Sequence, residues 1–137
     1  AEQYWLPCST KDRDEVVCIR TLGTITVVGL KDKLFRVMFL PSENDSSFTR
    51  GDALECFSME RGIISSRGAC VFQMEGQPLM LACVDQQGIY MTEGYKVYTL
   101  SDDIDWTNMV DVSDLDSCEL VCNPTEFKFS LYYNPKV

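Results

Sequence analysis

The 137-residue sequence predicts an all-β protein, and three features of the chain support that fold class. Short apolar or alternating segments recur along it, with turn residues between them at a spacing of roughly 8–10 residues. One of these segments, residues 24–28, is β-branched throughout, and branched side chains fit a pleated surface better than a helix. We therefore predict one domain, residues 1–137, built as an antiparallel β-sandwich of about nine or ten strands with almost no helix.

The first half of the chain predicts four strands. Gly23 and Pro41 end two of them, and a polar loop at residues 41–52 precedes the fourth. The predicted strands are residues 15–21, 24–28, 34–40 and 53–59.

The second half predicts a meander of adjacent antiparallel strands. A turn at residues 75–78 joins two apolar runs into a hairpin, and Gly88 and Gly94 mark the following turns. The predicted strands are residues 69–74, 79–84, 89–92 and 95–100.

The end of the chain holds the clearest alternation. Within residues 126–133, Phe127, Phe129, Leu131 and Tyr133 share one face, which predicts a half-buried strand. Helix is predicted only as a possible turn within residues 101–117, where the many aspartates are poor helix formers.

The charge of the chain is acidic and unevenly distributed. The net charge is −9, and residues 68–137 hold three basic and eleven acidic side chains, a balance of −8. Such a surface repels nucleic-acid phosphates and anionic lipids, so we expect neither as a partner. No segment approaches the ~18 apolar residues of a membrane span, so direct membrane insertion is not expected.

The seven cysteines favour a secreted protein, because core size alone does not explain their number. The chain starts without Met, so we expect a processed end or a part of a longer protein. Cys118 and Cys122 would lie ~13 Å apart on a strand, too far to bond each other. Each would bond a neighbouring strand or stay a buried thiol; a four-cysteine zinc site with Cys8 and Cys18 is the less favoured alternative. The disulfide candidates are Cys8, Cys18, Cys56, Cys70, Cys83, Cys118 and Cys122.

The sequence contains no histidine. Histidine dominates acid–base chemistry near neutral pH, so its absence removes Ser-His-Asp and Cys-His arrangements together. No carboxylate pair, lysine or thiol has a sequence context typical of catalysis. We therefore predict a protein that is not an enzyme and has no catalytic residue, cofactor or metal centre.

An acidic cluster lies between residues 102 and 116, with no basic residue inside it. Three interpretations remain open: a solvated loop, a docking surface for a basic partner, and a calcium site without EF-hand spacing. As a partner-binding site the cluster comprises Asp102, Asp103, Asp105, Asp111, Asp114 and Asp116.

Aromatic side chains offer an alternative function. Their faces would suit a carbohydrate, although packing between sheets explains them as well. They are Tyr4, Trp5, Tyr90, Tyr95, Tyr98, Trp106, Tyr132 and Tyr133.

The whole chain resembles the C-terminal galectin-like domain of a soluble apicomplexan microneme adhesin. The resemblance rests on length, strand pattern and cysteine content, including the closing strand from Phe127 to Tyr133. The resemblance implies a galectin-like jelly roll in a secretory organelle, the microneme. It also implies a protein-binding role in host-cell invasion: binding an EGF-like domain of a transmembrane adhesin and assisting its folding and sorting. The galectin sugar motif is missing, since there is no His and the residues after Trp106 do not fit.

Overall fold

The computed structural model describes residues 15–38 and 54–135. The described residues form ten strands and two short helical turns. The strands are β1 (Cys18–Leu22), β2 (Ile25–Gly29), β3 (Leu34–Met38), β4 (Leu54–Ser58), β5 (Ala69–Gln73), β6 (Leu79–Asp85), β7 (Gly88–Thr92), β8 (Val97–Thr99), β9 (Glu119–Asn123) and β10 (Lys128–Tyr132). The α-helical turn α1 spans Trp106–Met109, and a 3-10 turn spans Val112–Leu115.

The strands form three antiparallel sheets in which each strand pairs with its neighbour in sequence. Two sheets have four strands, in the orders β1-β2-β3-β4 and β5-β6-β7-β8, and the third is the hairpin β9-β10. The all-β antiparallel class and the number of strands are confirmed. In a jelly roll, strands distant in sequence also become neighbours through Greek-key connections. The described order, being sequential, does not by itself show the galectin-like topology.

Strand β6 lies in the middle layer of the molecule, because its side chains enter two different cores. In the first core, Leu81 and Cys83 pack with residues of β1, β2 and β3. In the second core, Met80, Ala82 and Val84 pack with residues of the α1 region and the β9-β10 hairpin. A strand buried on both faces reads as a continuous apolar run, which is how residues 79–84 appear in the sequence.

The strand predictions are confirmed with shifts of one to three residues at their ends. β10 occupies residues 128–132, and Phe129, Leu131 and Tyr133 pack against the second core as the alternation predicted. Phe127 departs from the prediction: it lies in the turn before β10 with φ +50° and is 44% exposed. Cys118, Leu120 and Cys122 share that core, as expected for an extended segment. The predicted polar loop at residues 41–52 lies outside the described residues. So do residues 39–40 and residue 53, at the ends of the predicted strands 34–40 and 53–59.

Candidate docking surface

The acidic segment, defined as residues 101–117, lies over one face of the β5–β8 sheet. Trp106, Val110 and Leu115 are buried in the second core together with Val84 of β6. These three apolar side chains occur every four or five positions, so one side of the segment packs on the sheet while the other faces solvent. The sequence predicted a helical turn here, and the structure places two short ones.

The start of the segment is fixed by contacts to β7. The backbone N–H of Ile89 donates to Ser101 Oγ at 3.0 Å, and the N–H of Leu100 donates to the carbonyl of Ile89 at 2.8 Å. Gly88 has φ +133°, and a Cβ at this position would collide with Ser101 Oγ. A glycine is therefore required at the place where the acidic segment joins the sheet.

Five of the six aspartates predicted as a binding site are exposed. They are Asp102, Asp103, Asp105, Asp111 and Asp116. Asp114 departs from this arrangement: only 9% of it is exposed, because the 3-10 turn that contains it also buries Leu115. Composition alone could not separate Asp114 from the exposed members of the cluster.

Two of the exposed aspartates also accept hydrogen bonds within the segment. The Asp105 carboxylate accepts a hydrogen bond from Asn108 Nδ2 at 2.5 Å. The Asp111 carboxylate accepts from the backbone N–H of Ser113 at 3.0 Å, which caps the 3-10 turn. An acidic side chain at this position satisfies a donor that the turn leaves unpaired.

Two large apolar side chains are exposed within the acidic segment. Ile104 is 44% exposed and Met109 is 65% exposed. Apolar side chains surrounded by polar or charged ones are the usual composition of a protein-binding surface. The segment can thus offer both a hydrophobic contact and a field that attracts positive charge.

The structure also locates the cysteines. The six described cysteines, Cys18, Cys56, Cys70, Cys83, Cys118 and Cys122, are free thiols, and Cys8 lies outside the described residues. Cys18 and Cys83 belong to the first core. Cys70, Cys118 and Cys122 belong to the second core, across the β5–β8 sheet from the first pair. Five of the disulfide candidates are thus divided between the two faces of the β5–β8 sheet, and the exposed Cys56 lies on β4.

Burial makes most of these thiols hard to ionise. Burial, with a smaller effect of the neighbouring Cys122, raises the pKa of Cys70 to about 11. Burial likewise raises the pKa of Cys83 well above its ordinary value. A thiol is a good nucleophile and metal ligand only as a thiolate, so these side chains behave as core residues at neutral pH.

The predicted aromatic faces fall into two groups. Tyr90 and Trp106 are buried, whereas Tyr95, Tyr98 and Tyr132 are 46%, 43% and 61% exposed. Tyr4 and Trp5 lie outside the described residues.

Within residues 15–38 and 54–135, no three carboxylate or thiol side chains come together in a way that could hold a metal ion. The calcium interpretation of the acidic segment therefore gains no support from the described residues.

A buried ion pair, which the sequence did not reveal, lies beside the first core. Arg61 Nε and Nη2 donate to the two carboxylate oxygens of Asp85 at 2.6 and 2.9 Å. The guanidinium lies 4.5 Å from the centre of the Tyr90 ring, and the Tyr90 hydroxyl donates to the Gly62 carbonyl at 2.5 Å. Burial raises the pKa of Tyr90 well above its ordinary value. Each polar group has a partner, which is typical of a structural network.

Comparison with protein-family models, with curated proteins and with solved structures gives no match to this chain. The galectin-like resemblance and the functions that it implies therefore stay predictions. The helices in the described ranges are too short to cross a membrane.

Proposed function

We propose that this chain is a non-catalytic protein-interaction domain that binds a basic surface of a partner protein through its acidic segment. The proposal rests mainly on the combination of exposed aspartates with exposed apolar side chains on one structured segment. Trp106, Val110 and Leu115 are buried beneath the segment, whereas Ile104, Met109 and Asp105 are exposed on it.

The charge of the segment favours a basic partner. Residues 101–117 contain six aspartates and no lysine or arginine, so the side chains of the segment itself carry only negative charge. Opposite charge on a partner speeds association and fixes orientation, while Ile104 and Met109 would supply apolar contact. Exposed ion pairs contribute about 0.2–1 kcal/mol each, so the aspartates adjust the binding free energy and do not supply all of it.

The resemblance to microneme adhesins supplies a specific form of this proposal. In that form the domain belongs to a secreted adhesin complex in the microneme. It binds an EGF-like domain of a transmembrane partner and assists the folding and sorting of that partner. The absence of histidine supports a binding role over a catalytic one.

Calorimetric titration against recombinant EGF-like domains with basic surfaces tests the proposal. We expect saturable binding that weakens as salt rises from about 50 to 500 mM, because screening shortens the reach of exposed charges. The variant Asp102→Asn/Asp103→Asn should lower the affinity about 2- to 30-fold, from two exposed pairs at about 0.2–1 kcal/mol each. Met109→Ser should lower it as well, through the apolar contact.

The matched control is Glu75→Gln/Glu126→Gln, which removes the same two charges elsewhere. Glu75 and Glu126 lie in the β5–β6 and β9–β10 turns, and Ser101 lies at the other end of the sheet, beside the start of β7. β6 alone spans about 20 Å between those ends. Equal loss of affinity in both double variants, or equal binding to egg-white lysozyme as a non-specific basic protein, would reduce the interaction to net charge and refute the proposal.

A further inference from the structure

A cleft of about 430 Å³ lies at the open end of the β9-β10 hairpin, next to the end of the acidic segment. Its lining comes from three separated parts of the chain: Arg67, the segment leading into β9, and the end of β10. The lining residues are Arg67, Ser117, Glu119, Leu131, Tyr132, Tyr133 and Asn134. A volume of this size lies within the range of small-ligand sites.

The strand register places an aromatic ring next to a carboxylate. Tyr132 of β10 is directly opposite Glu119 of β9. Residues opposite each other in an antiparallel pair project to the same face, with Cβ atoms about 4.5–5.5 Å apart. Leu120 faces the second core. Tyr132 and Glu119 therefore share the outer face of the hairpin, where 61% of Tyr132 is exposed.

A backbone hydrogen bond holds Arg67 at the same cleft. The N–H of Leu120 donates to the carbonyl of Arg67 at 2.9 Å, which holds Arg67 next to β9. Arg67 and Glu119 both line the cleft, and within the described residues they form no ion pair with each other. The lining thus combines a donor residue and an acceptor residue that do not neutralise each other directly.

The charge and polarity of the lining residues indicate which class of ligand the cleft would bind. The charges of Arg67 and Glu119 sum to zero, so the cleft itself has no preference for an ion, and the chain charge of −9 disfavours an anionic ligand. The lining is too polar for an apolar ligand, since Leu131 and the two tyrosine rings are its only apolar surfaces. A neutral pyranose carries hydroxyls that both donate and accept, and a C–H face that stacks on an aromatic ring.

We propose that this cleft, defined by Arg67, Glu119, Tyr132 and Asn134, binds a neutral saccharide. The Tyr132 ring stacks on the C–H face of one sugar ring. Arg67 and the Asn134 amide donate to hydroxyl oxygens, and Glu119 accepts from hydroxyl groups. The cleft adjoins the acidic segment, with which it shares Ser117, but Arg67, Glu119, Tyr132 and Asn134 lie outside that segment, so variants at these four residues separate the two functions.

Saturation-transfer and two-dimensional NMR titrations of the whole chain test this proposal. The probes are the neutral disaccharides lactose, maltose, cellobiose and chitobiose, with 3′-sialyllactose as an anionic comparator. We expect at least one neutral disaccharide to bind, with shifts at residues 117–119 and 131–134. No binding at about 10 mM, well above a weak dissociation constant of about 1 mM, would overturn the proposal.

Three variants locate the site. Tyr132→Ala should weaken binding about tenfold by removing the stacking ring, and Glu119→Gln should weaken it by removing a charged acceptor. Both side chains are exposed, so the fold should persist, and the second variant serves if the first does not fold. Tyr98→Ala, a change at an exposed tyrosine of β8 outside the cleft, is the matched control and should not alter binding. Binding unchanged by Tyr132→Ala and Glu119→Gln, or stronger for 3′-sialyllactose than for lactose, would contradict the proposal.

Discussion

The buried ion pair between Arg61 and Asp85 gives the sharpest prediction about stability. Asp85 is 2% exposed, and besides two hydrogen bonds from Arg61 it accepts the backbone N–H of Gln87 at 2.8 Å and of Gly62 at 3.3 Å. Asp85→Asn keeps the shape of the side chain but removes the charge that faces the guanidinium. The Arg61 charge would then be buried without compensation.

The expected cost follows from the geometry of the pair. Two charge-assisted hydrogen bonds contribute about 1.5–3 kcal/mol each, and breaking a buried ion pair costs about 3–5 kcal/mol. We therefore expect Asp85→Asn to lower the free energy of unfolding by about 4 kcal/mol. With a typical urea dependence of about 2 kcal/mol per molar, the midpoint falls by about 2 M, measured by circular dichroism at pH 7.

A matched control separates burial from charge. Arg36 Nη2 and Glu55 Oε2 form an ion pair at 2.6 Å, the same distance as Arg61 Nε and Asp85 Oδ2, but the Glu55 side chain is 65% exposed. Glu55→Gln should therefore cost less than about 1 kcal/mol.

The double variant Arg61→Met/Asp85→Asn tests the same reasoning through coupling. Once both charges are removed, no unpaired charge is buried. The double variant should therefore lose about 2 kcal/mol or more less free energy of unfolding than the two single variants lose together. A cost of less than about 1 kcal/mol for Asp85→Asn, or additive single losses, would show that the pair is hydrated and the structural argument wrong.

Two further predictions concern a turn and a thiol. Gly88→Ala should destabilise the fold by about 2–3 kcal/mol, against about 1 kcal/mol for Gly76→Ala, as urea midpoints can measure; both glycines have positive φ, but only at Gly88 would a Cβ collide with Ser101 Oγ. Because the folded state raises the pKa of Cys70 from 9.0 to about 11, it favours the neutral thiol: this stabilisation is complete below pH 9 and lost as pH rises through 11. Urea midpoints of the wild type should therefore fall more between pH 8 and pH 11 than those of Cys70→Ala, whereas the exposed-site variant Cys56→Ala should follow the wild type; identical slopes for Cys70→Ala would contradict the assignment.

The sequence predicted the strands well because their signals are local. Alternation at Phe129, Leu131 and Tyr133, and glycines at turns, depend only on neighbouring residues, and the strand ends differed by few positions. Arg61 and Asp85 are 24 residues apart, so no local pattern announces their contact. Their pairing depends on how separate segments pack.

The candidate sites illustrate the same limit. The acidic segment was visible in composition, but the inward position of Asp114 depends on the 3-10 turn and on burial of Leu115. The cleft was not visible, because Arg67, Glu119 and Tyr132 come together only through the register of β9 and β10 and a backbone bond to Leu120. Sequence reasoning included Tyr132 among the candidate stacking faces but did not place Arg67 or Glu119 beside it.

The central claim is that the acidic segment is the surface that binds a partner protein. Amide hydrogen exchange of the chain, alone and saturated with a basic EGF-like domain, measures this most directly. The account predicts slower exchange concentrated in residues 101–117, including the backbone around Ile104 and Met109, with unchanged exchange at the β5–β6 and β9–β10 turns. Protection confined to β9 and β10, or spread evenly over the molecule, would place the interface elsewhere and contradict the claim.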